Sequence, residues 1–314
     1  MSRTITLPFV LFVVTACGQD FELNALREVE SDGDTGLWMD TSESFDTGWP
    51  VEQEEDSTPE DESPTEPEVE DPPDEDDCED TSDLVYVIDK DSENLYLFHP
   101  DTLSLERLGT LDCDYWSSPA SMGIARDGVA YVRYSDDAVY SVDLDTLHCE
   151  PTDYRDNQTH FGSFGMGYAT NSADTWRDQL YVANENRLAR LDIESWQLEN
   201  LGTLPSQSEL TGNAEGELWG FLPLESPAEL VRIGKADGAI LDTIRMPGFP
   251  NPYDIDTFAF ATWGGDFWLF VRTSGMGSST DVYQVSLDGT MTRVVQNIGI
   301  NVVGAGVSTC APTD

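Results

Sequence analysis

An aromatic residue recurs inside a short strand-like run five times. Tyr86 sits in DLVYVID, Tyr131 in GVAYVRY, Tyr181 in DQLYVAN, Trp219 in GELWGFL and Trp268 in GDFWLFV, at intervals of 45, 50, 38 and 49 residues. A fixed-period repeat of this length is the mark of a solenoid, propeller or array, and it restricts the fold before any motif is considered. Each aromatic run is followed by a second strand and a tight turn, as in NLYLFHPDTL, AVYSVDLDTL and DVYQVSLDG. A third strand then follows, such as SLERLGTL or QLENLGTL. Asp-Thr, Asp-Gly and Glu-Ser at the joins suit hairpin turns.

Four of the five units also have a strand before the aromatic one: residues 121–128, 164–170, 209–216 and 257–265. These stretches are rich in Gly, Ala and Met, as strands crowded around a shared axis must be. The first unit has only acidic sequence before Tyr86. The missing composition occurs at the far end of the chain, in VVGAGVSTC (302–310). Four-stranded units around an axis describe an all-β propeller. The expectation is a five-bladed β-propeller, with six blades as the alternative, closed by the C-terminal strand completing blade one. Closure matters because an open ring exposes strand edges.

The cysteines fit the same scheme. Apart from Cys17 there are four, which allow three pairings. Cys78–Cys310 would lock the seam, and Cys113–Cys149 would join the outer strands of blades one and two. Free thiols are the competing reading. No zinc-like spacing is present, and neither a metal nor a cofactor is expected.

The segments SFGMGYAT, SELTGNAEGELWGF, FAFATWGGDFWLF and VGAGVSTCAP resemble motifs of uncharacterised secreted β-propeller lipoproteins of myxobacteria and related bacteria. The resemblance covers residues 78–312. It implies a propeller in the cell envelope, and it brings no activity and no catalytic residue.

Upstream of the repeat the chain changes character. Arg3 supplies a short positive region and Ile5 to Val14 an apolar stretch too short to span a bilayer, as in a signal peptide. Val14-Thr15-Ala16-Cys17 resembles a bacterial lipobox, so residues 1–16 read as a lipoprotein signal peptide and Cys17 as the lipidation site. Gly18, where some bacteria read Asp as an inner-membrane signal, favours the outer membrane by analogy. Residues 18–82 carry 26 Asp and Glu against one Arg, with many prolines and little to bury. Residues 17–77 are therefore expected to be a disordered acidic linker, extended by its own repulsion. The two Asp-Thr-Gly triplets within it, at Asp34 and Asp46, lack the flanking strands of an aspartic protease and read as chance. The formal net charge of −46 excludes a nucleic-acid footprint.

Residues 78–314 carry the propeller, which is expected to be monomeric. Its chemistry is less legible. His99, His148 and His160 fall at turns or strand approaches, and no Gly-x-Ser-x-Gly elbow is present. DKDSEN at Asp89 opens like a calcium loop, but Asn94 and Pro100 stand where Gly and Glu belong. Some five-bladed propellers place two carboxylates around a central pit for glycoside hydrolysis. The candidates at the mouths of inner strands are Asp127, Asp174, Glu215, Asp254, Asp256 and Asp266. The recurring aromatics are better assigned to packing between blades. Trp116, Trp176 and Trp263 fall in connections and are candidate rim contacts. No catalytic residue can be named. The sequence favours a lipid-anchored module that binds an envelope protein or glycan, with a glycosidase-like enzyme as the alternative.

Overall fold

In a computed structural model of the chain, residues 84–113, 116–155, 160–171, 177–275 and 278–314 are described. They form twenty strands in five four-stranded antiparallel sheets. Blade one contains β1 (Val85–Asp89), β2 (Asn94–His99) and β3 (Ser104–Thr110). Blade two is β4 (Pro119–Ile124), β5 (Val129–Tyr134), β6 (Val139–Asp143) and β7 (Cys149–Pro151). Blade three is β8 (Gly165–Thr170), β9 (Asp178–Asn184), β10 (Arg187–Leu191) and β11 (Leu198–Thr203). Blade four is β12 (Glu209–Gly212), β13 (Leu218–Leu222), β14 (Ala228–Ile233) and β15 (Ile240–Met246). Blade five is β16 (Ile255–Trp263), β17 (Asp266–Thr273), β18 (Asp281–Ser286) and β19 (Met291–Val295). The last strand, β20 (Val302–Gly306), lies in the first sheet, whose order is β20-β1-β2-β3. The architecture is a five-bladed β-propeller.

The last strand pairs where the sequence pointed: Tyr86 opposes Gly306, Val87 opposes Ala305 and Ile88 opposes Gly304. Inner strands contact one another in a circuit, β20 to β4, β4 to β8, β8 to β12, β12 to β16 and β16 to β20. The axis demands small side chains. A Cβ on Gly304 would lie 2.9 Å from Ile88 and 3.0 Å from Met122. A methyl on Gly212 would overlap the backbone of Tyr168 and Ala169 in the neighbouring blade.

The core is divided into five clusters, one between each pair of adjacent blades. A strand inside a blade therefore buries both faces. In β1, Val85 and Val87 enter the cluster shared with blade five, while Tyr86 and Ile88 enter that shared with blade two. This is why second strands read as continuous apolar runs rather than alternating ones. Outer strands such as β3 are mostly exposed. The repeated aromatics fill the spaces between blades, with Trp219 and Phe267 centroids 4.7 Å apart across blades four and five. Trp268 and Phe98 are 5.4 Å apart across blades five and one.

Two inner strands are shorter than the sequence predicts. β4 and β12 end before residues 125–128 and 213–216, which form matching turns closed by Gly128 N–H to Ala125 O (3.2 Å) and Gly216 N–H to Asn213 O (3.2 Å). Gly128 and Gly216 both adopt positive φ there, 77° and 78°, which L side chains disfavour. Among the described residues no helix is long and apolar enough to cross a membrane.

Candidate functional site

Adjacent inner strands run parallel in two pairs: on β8 and β12, residues 165, 167 and 169 lie against 209, 210 and 212, and on β20 and β4, residues 304 and 306 lie against 122 and 124. The end at which they finish, called lower here, carries a cavity of about 210 Å³ between blades four and five. Its walls come from the β12–β13 turn, the β16–β17 turn, Leu287 after β18, and Ser308, Ala311, Pro312 and Thr313 of the C-terminal segment. The tail is fastened across the gap. Ala311 N–H donates to Ser308 O (3.0 Å) and Gly264 N–H to Pro312 O (2.7 Å). Thr313 Oγ1 donates to Glu215 Oε1 at 2.7 Å.

The floor is aromatic, formed by Trp219 and Phe267. Three carboxylates, Glu215, Glu217 and Asp266, are among the other lining residues. Glu217 is held on all sides: Oε2 accepts from Trp219 Nε1 (3.1 Å) and Asn213 Nδ2 (3.4 Å), and Oε1 from Arg232 Nη1 (3.2 Å). Asp266 Oδ2 accepts from Gln284 Nε2 at 2.6 Å. Leu287 stands at the mouth and is 61% exposed.

Nearer the axis, the lower end is tied by a second polar knot. Arg126 Nη2 donates to Thr309 Oγ1 (3.2 Å), Thr170 Oγ1 (3.4 Å) and Asp178 Oδ1 (3.5 Å). Thr309 Oγ1 donates to Asp178 Oδ2 at 2.7 Å, so the tail, blade two and blade three meet in one network.

The upper end holds a different kind of carboxyl. Glu209, the first residue of β12, is only 6% exposed. Ser121 Oγ on β4 donates to Glu209 Oε2 at 2.8 Å, and Met166 N–H on β8 donates to Ser121 Oγ at 3.1 Å. The contact joins blades two and four, which are not neighbours, so it passes over the inner strand of blade three. Burial pushes Glu209 up to about 8, against the opposing pull of the Ser121 hydrogen bond and the Arg133 charge. Arg133 is itself buried and donates to Phe164 O (2.8 Å), Tyr134 O (3.0 Å) and Asp137 Oδ1 (3.3 Å).

The structure separates the acidic residues that the sequence grouped. Glu215 and Asp266 share the cavity. Asp254 and Asp256 lie at the upper end, where Asp256 is paired with Arg272 at 2.6 Å. Asp127 is spent in the β4–β5 turn, accepting from Val129 N–H at 3.2 Å. Asp174 and Trp176 lie outside the described residues. Trp116 is 93% exposed in the β3–β4 connection. Trp263 is half-buried against the cluster between blades five and one, with its carbonyl accepting from Trp268 Nε1 (3.2 Å). Cys113 and Cys149 form a disulfide with Cα atoms 4.9 Å apart. Cys310 is also disulfide-bonded; Cys78, the partner expected for it, and Cys17 lie outside the described residues. His99 and His148 pair with Glu106 (3.3 Å) and Asp112 (3.1 Å) on the surface. Among the described residues no group of three His, Cys, Asp or Glu could hold a metal ion.

Sequence reasoning missed Glu217, Glu209, Asp178 and the 94%-exposed Tyr253. Glu209 had one available signal, a charge at the start of a short inner strand otherwise built from small and apolar residues. Glu217 had none, since its role depends on Arg232 in the following strand.

No family model matches the chain, and no curated protein matches it. Among solved structures it is similar to a protein of unknown function from Bacteroides caccae, at 10% identity over 71% of this chain and 97% of that one, TM-score 0.41. A chain of a nidogen/laminin complex is similar at 10% identity, covering 73% and 99%, TM-score 0.45. An engineered GH43 glycoside hydrolase with endo-xylanase and exo-arabinofuranosidase activity is similar at 11% identity, covering 58% and 42%, TM-score 0.41.

Proposed function

We propose that this chain is a lipid-anchored cell-envelope protein that binds a protein or glycan partner through the lower rim of its propeller. In this reading Cys17 carries the lipid, and the acidic segment 17–77 is a spacer between membrane and propeller. The C-terminal strand and a Cys78–Cys310 disulfide fasten the ring. The anchor holds the protein to the membrane without spanning it.

The observation that carries the binding role is the cavity between blades four and five, with an aromatic floor and a mouth built from turns and the C-terminal tail. A rigid scaffold displaying a recess on its connections is the usual arrangement for recognition. An acid–base enzyme would need one carboxyl held protonated by burial beside a second, ionised one. The carboxyl most raised by burial, Glu209, sits at the opposite end and is sealed by Ser121. Glu215 and Glu217 in the cavity are instead engaged by Thr313, Trp219 and Arg232. That distribution supports binding over hydrolysis.

Two measurements test the proposal. Metabolic labelling with an alkynyl fatty acid should tag the full chain and not its Cys17→Ser variant; an unlabelled wild type overturns the anchor. Affinity capture from envelope extracts should return an identified protein or glycan with wild type and lose it with Leu287→Arg, which alters only an exposed mouth residue. Equal capture by both overturns the rim as the binding surface.

A further inference from the structure

The cavity has a chemical preference that can be read from its walls. Resting on the binding role just proposed, we infer that it takes an organic cation: a protonated amine or guanidinium on a short alkyl stem. No Lys, Arg or His is among the lining residues, whereas three carboxylates are. Arg232 neutralises only Glu217, at 3.2 Å. Glu215 and Asp266 receive hydrogen bonds from the neutral groups of Thr313 and Gln284. Two negative charges thus face the recess without a cationic partner among the described residues. An anionic ligand would meet repulsion there, and a neutral one would leave the charges uncompensated.

The floor specifies an organic cation over an inorganic one. Trp219 and Phe267, 3% and 2% exposed, close the base of the recess as uncharged, apolar core. Ala311, Pro312 and Leu287 extend the apolar wall. At about 210 Å³ the cavity is smaller than sites for drug-sized ligands, roughly 300–1,000 Å³, and matches one side chain or a small amine. Charge also excludes one internal occupant. Residues 18–82 bear 26 acidic groups against one Arg, so that segment is a poor source of the cation. Residues 83–314 themselves hold 35 Asp and Glu against 13 Lys and Arg, and this net charge of −22 would draw a basic partner toward the propeller over distance.

The same chemistry can arrive as a free amine or as a side chain of a partner protein, and the experiment separates them. The full chain is titrated calorimetrically with Nα-acetyl-lysine amide, Nα-acetyl-arginine amide, a lysine-bearing hexapeptide, and the neutral Nε-acetylated form of each lysine probe. Expected are saturable binding of the charged probes and at least a tenfold loss on acetylation. Asp266→Asn combined with Glu215→Gln should cause a similar loss, since both changes are near-isosteric. Peptide binding at least tenfold tighter than the free amide identifies a partner protein as the source; equal affinity identifies a free amine. Equal binding of charged and acetylated probes, or none by any charged probe, overturns the inference. If an envelope glycan is nevertheless captured by wild type and lost in Leu287→Arg, the binding role survives that failure. If nothing depends on the cavity variants, both fall.

Discussion

Glu209 offers a measurable consequence of burying a carboxyl at the propeller axis. Its proton is held to about pH 8 in the fold, against an ordinary 4.5 in an exposed chain. Below pH 4.5 both states are protonated and the group is neutral toward folding. Between 4.5 and 8 the unfolded chain releases the proton while the fold keeps it, so stability falls as pH rises. The slope is about 1.4 kcal/mol per pH unit, and the whole gap of about 3.5 units corresponds to about 5 kcal/mol. That is a large share of the 5–15 kcal/mol typical of a folded domain. Glu209→Gln keeps the side-chain length and an acceptor for Ser121 Oγ, and removes the ionisation. From pH 5 to pH 8 the wild type should lose about 4 kcal/mol more than the variant, read from urea unfolding curves at several pH values. Asp112, Asp143, Asp192 and Asp288 are all lowered by hydrogen bonds and act below this window. His148 is raised by Asp112, so its contribution also declines as pH rises; it is common to both proteins and cancels in the difference. Parallel pH profiles for the two proteins would refute the reasoning, because they would mean that Glu209 ionises freely in the fold.

Other consequences follow from the ring. Replacing Cys113 and Cys149 together by serine opens a loop closed across 36 residues, which should cost about 4 kcal/mol in the chain-entropy account; an unchanged denaturation midpoint would contradict it. Gly212→Ala drives a methyl into the Tyr168–Ala169 backbone and should destabilise by about 1–3 kcal/mol. Stability equal to wild type in thermal melts would show that the inner strands are less crowded than the geometry requires. Removing residues 300–314 takes away β20, leaving the inner edge of β1 unpaired. The truncated chain should lose its cooperative thermal transition and become protease-sensitive, and a retained sharp transition would argue that four complete blades suffice.

The blades were legible because each repeats the same physical problem. A second strand packed between two neighbours needs mostly apolar residues and a large ring in the inter-blade space, so Tyr86, Tyr181, Trp219 and Trp268 recur buried and Tyr131 half-buried. The inner strands were legible through their small residues, since Gly304 has no room for a side chain beside Met122. Local turns were less so, because the sequence alone does not show that residues 125–128 and 213–216 leave the sheet to close a turn. The cavity was illegible for a different reason. Its walls come from four separated segments, and Trp219 reads as core in any one-dimensional view although the same ring is also the floor.

The C-terminal tail connects these two levels. Val302–Gly306 occupies the inner position of blade one, Thr309 enters the axial knot with Arg126 and Asp178, and Pro312 and Thr313 form a wall of the cavity. Twelve residues, 302–313, therefore serve strand pairing, axial tying and site geometry in succession. Pairing of β20 is supported along its length by β1 and by two flanking inner strands. The wall at Ala311 to Thr313 rests on fewer bonds, chiefly Gly264 N–H to Pro312 O and Thr313 Oγ1 to Glu215, while Cys310 before it is held by its disulfide. Local opening takes its free energy from the contacts that must break. Those last residues can thus open without the strand leaving its sheet, and a ligand can pair with Glu215 through Oε2 while Thr313 keeps Oε1.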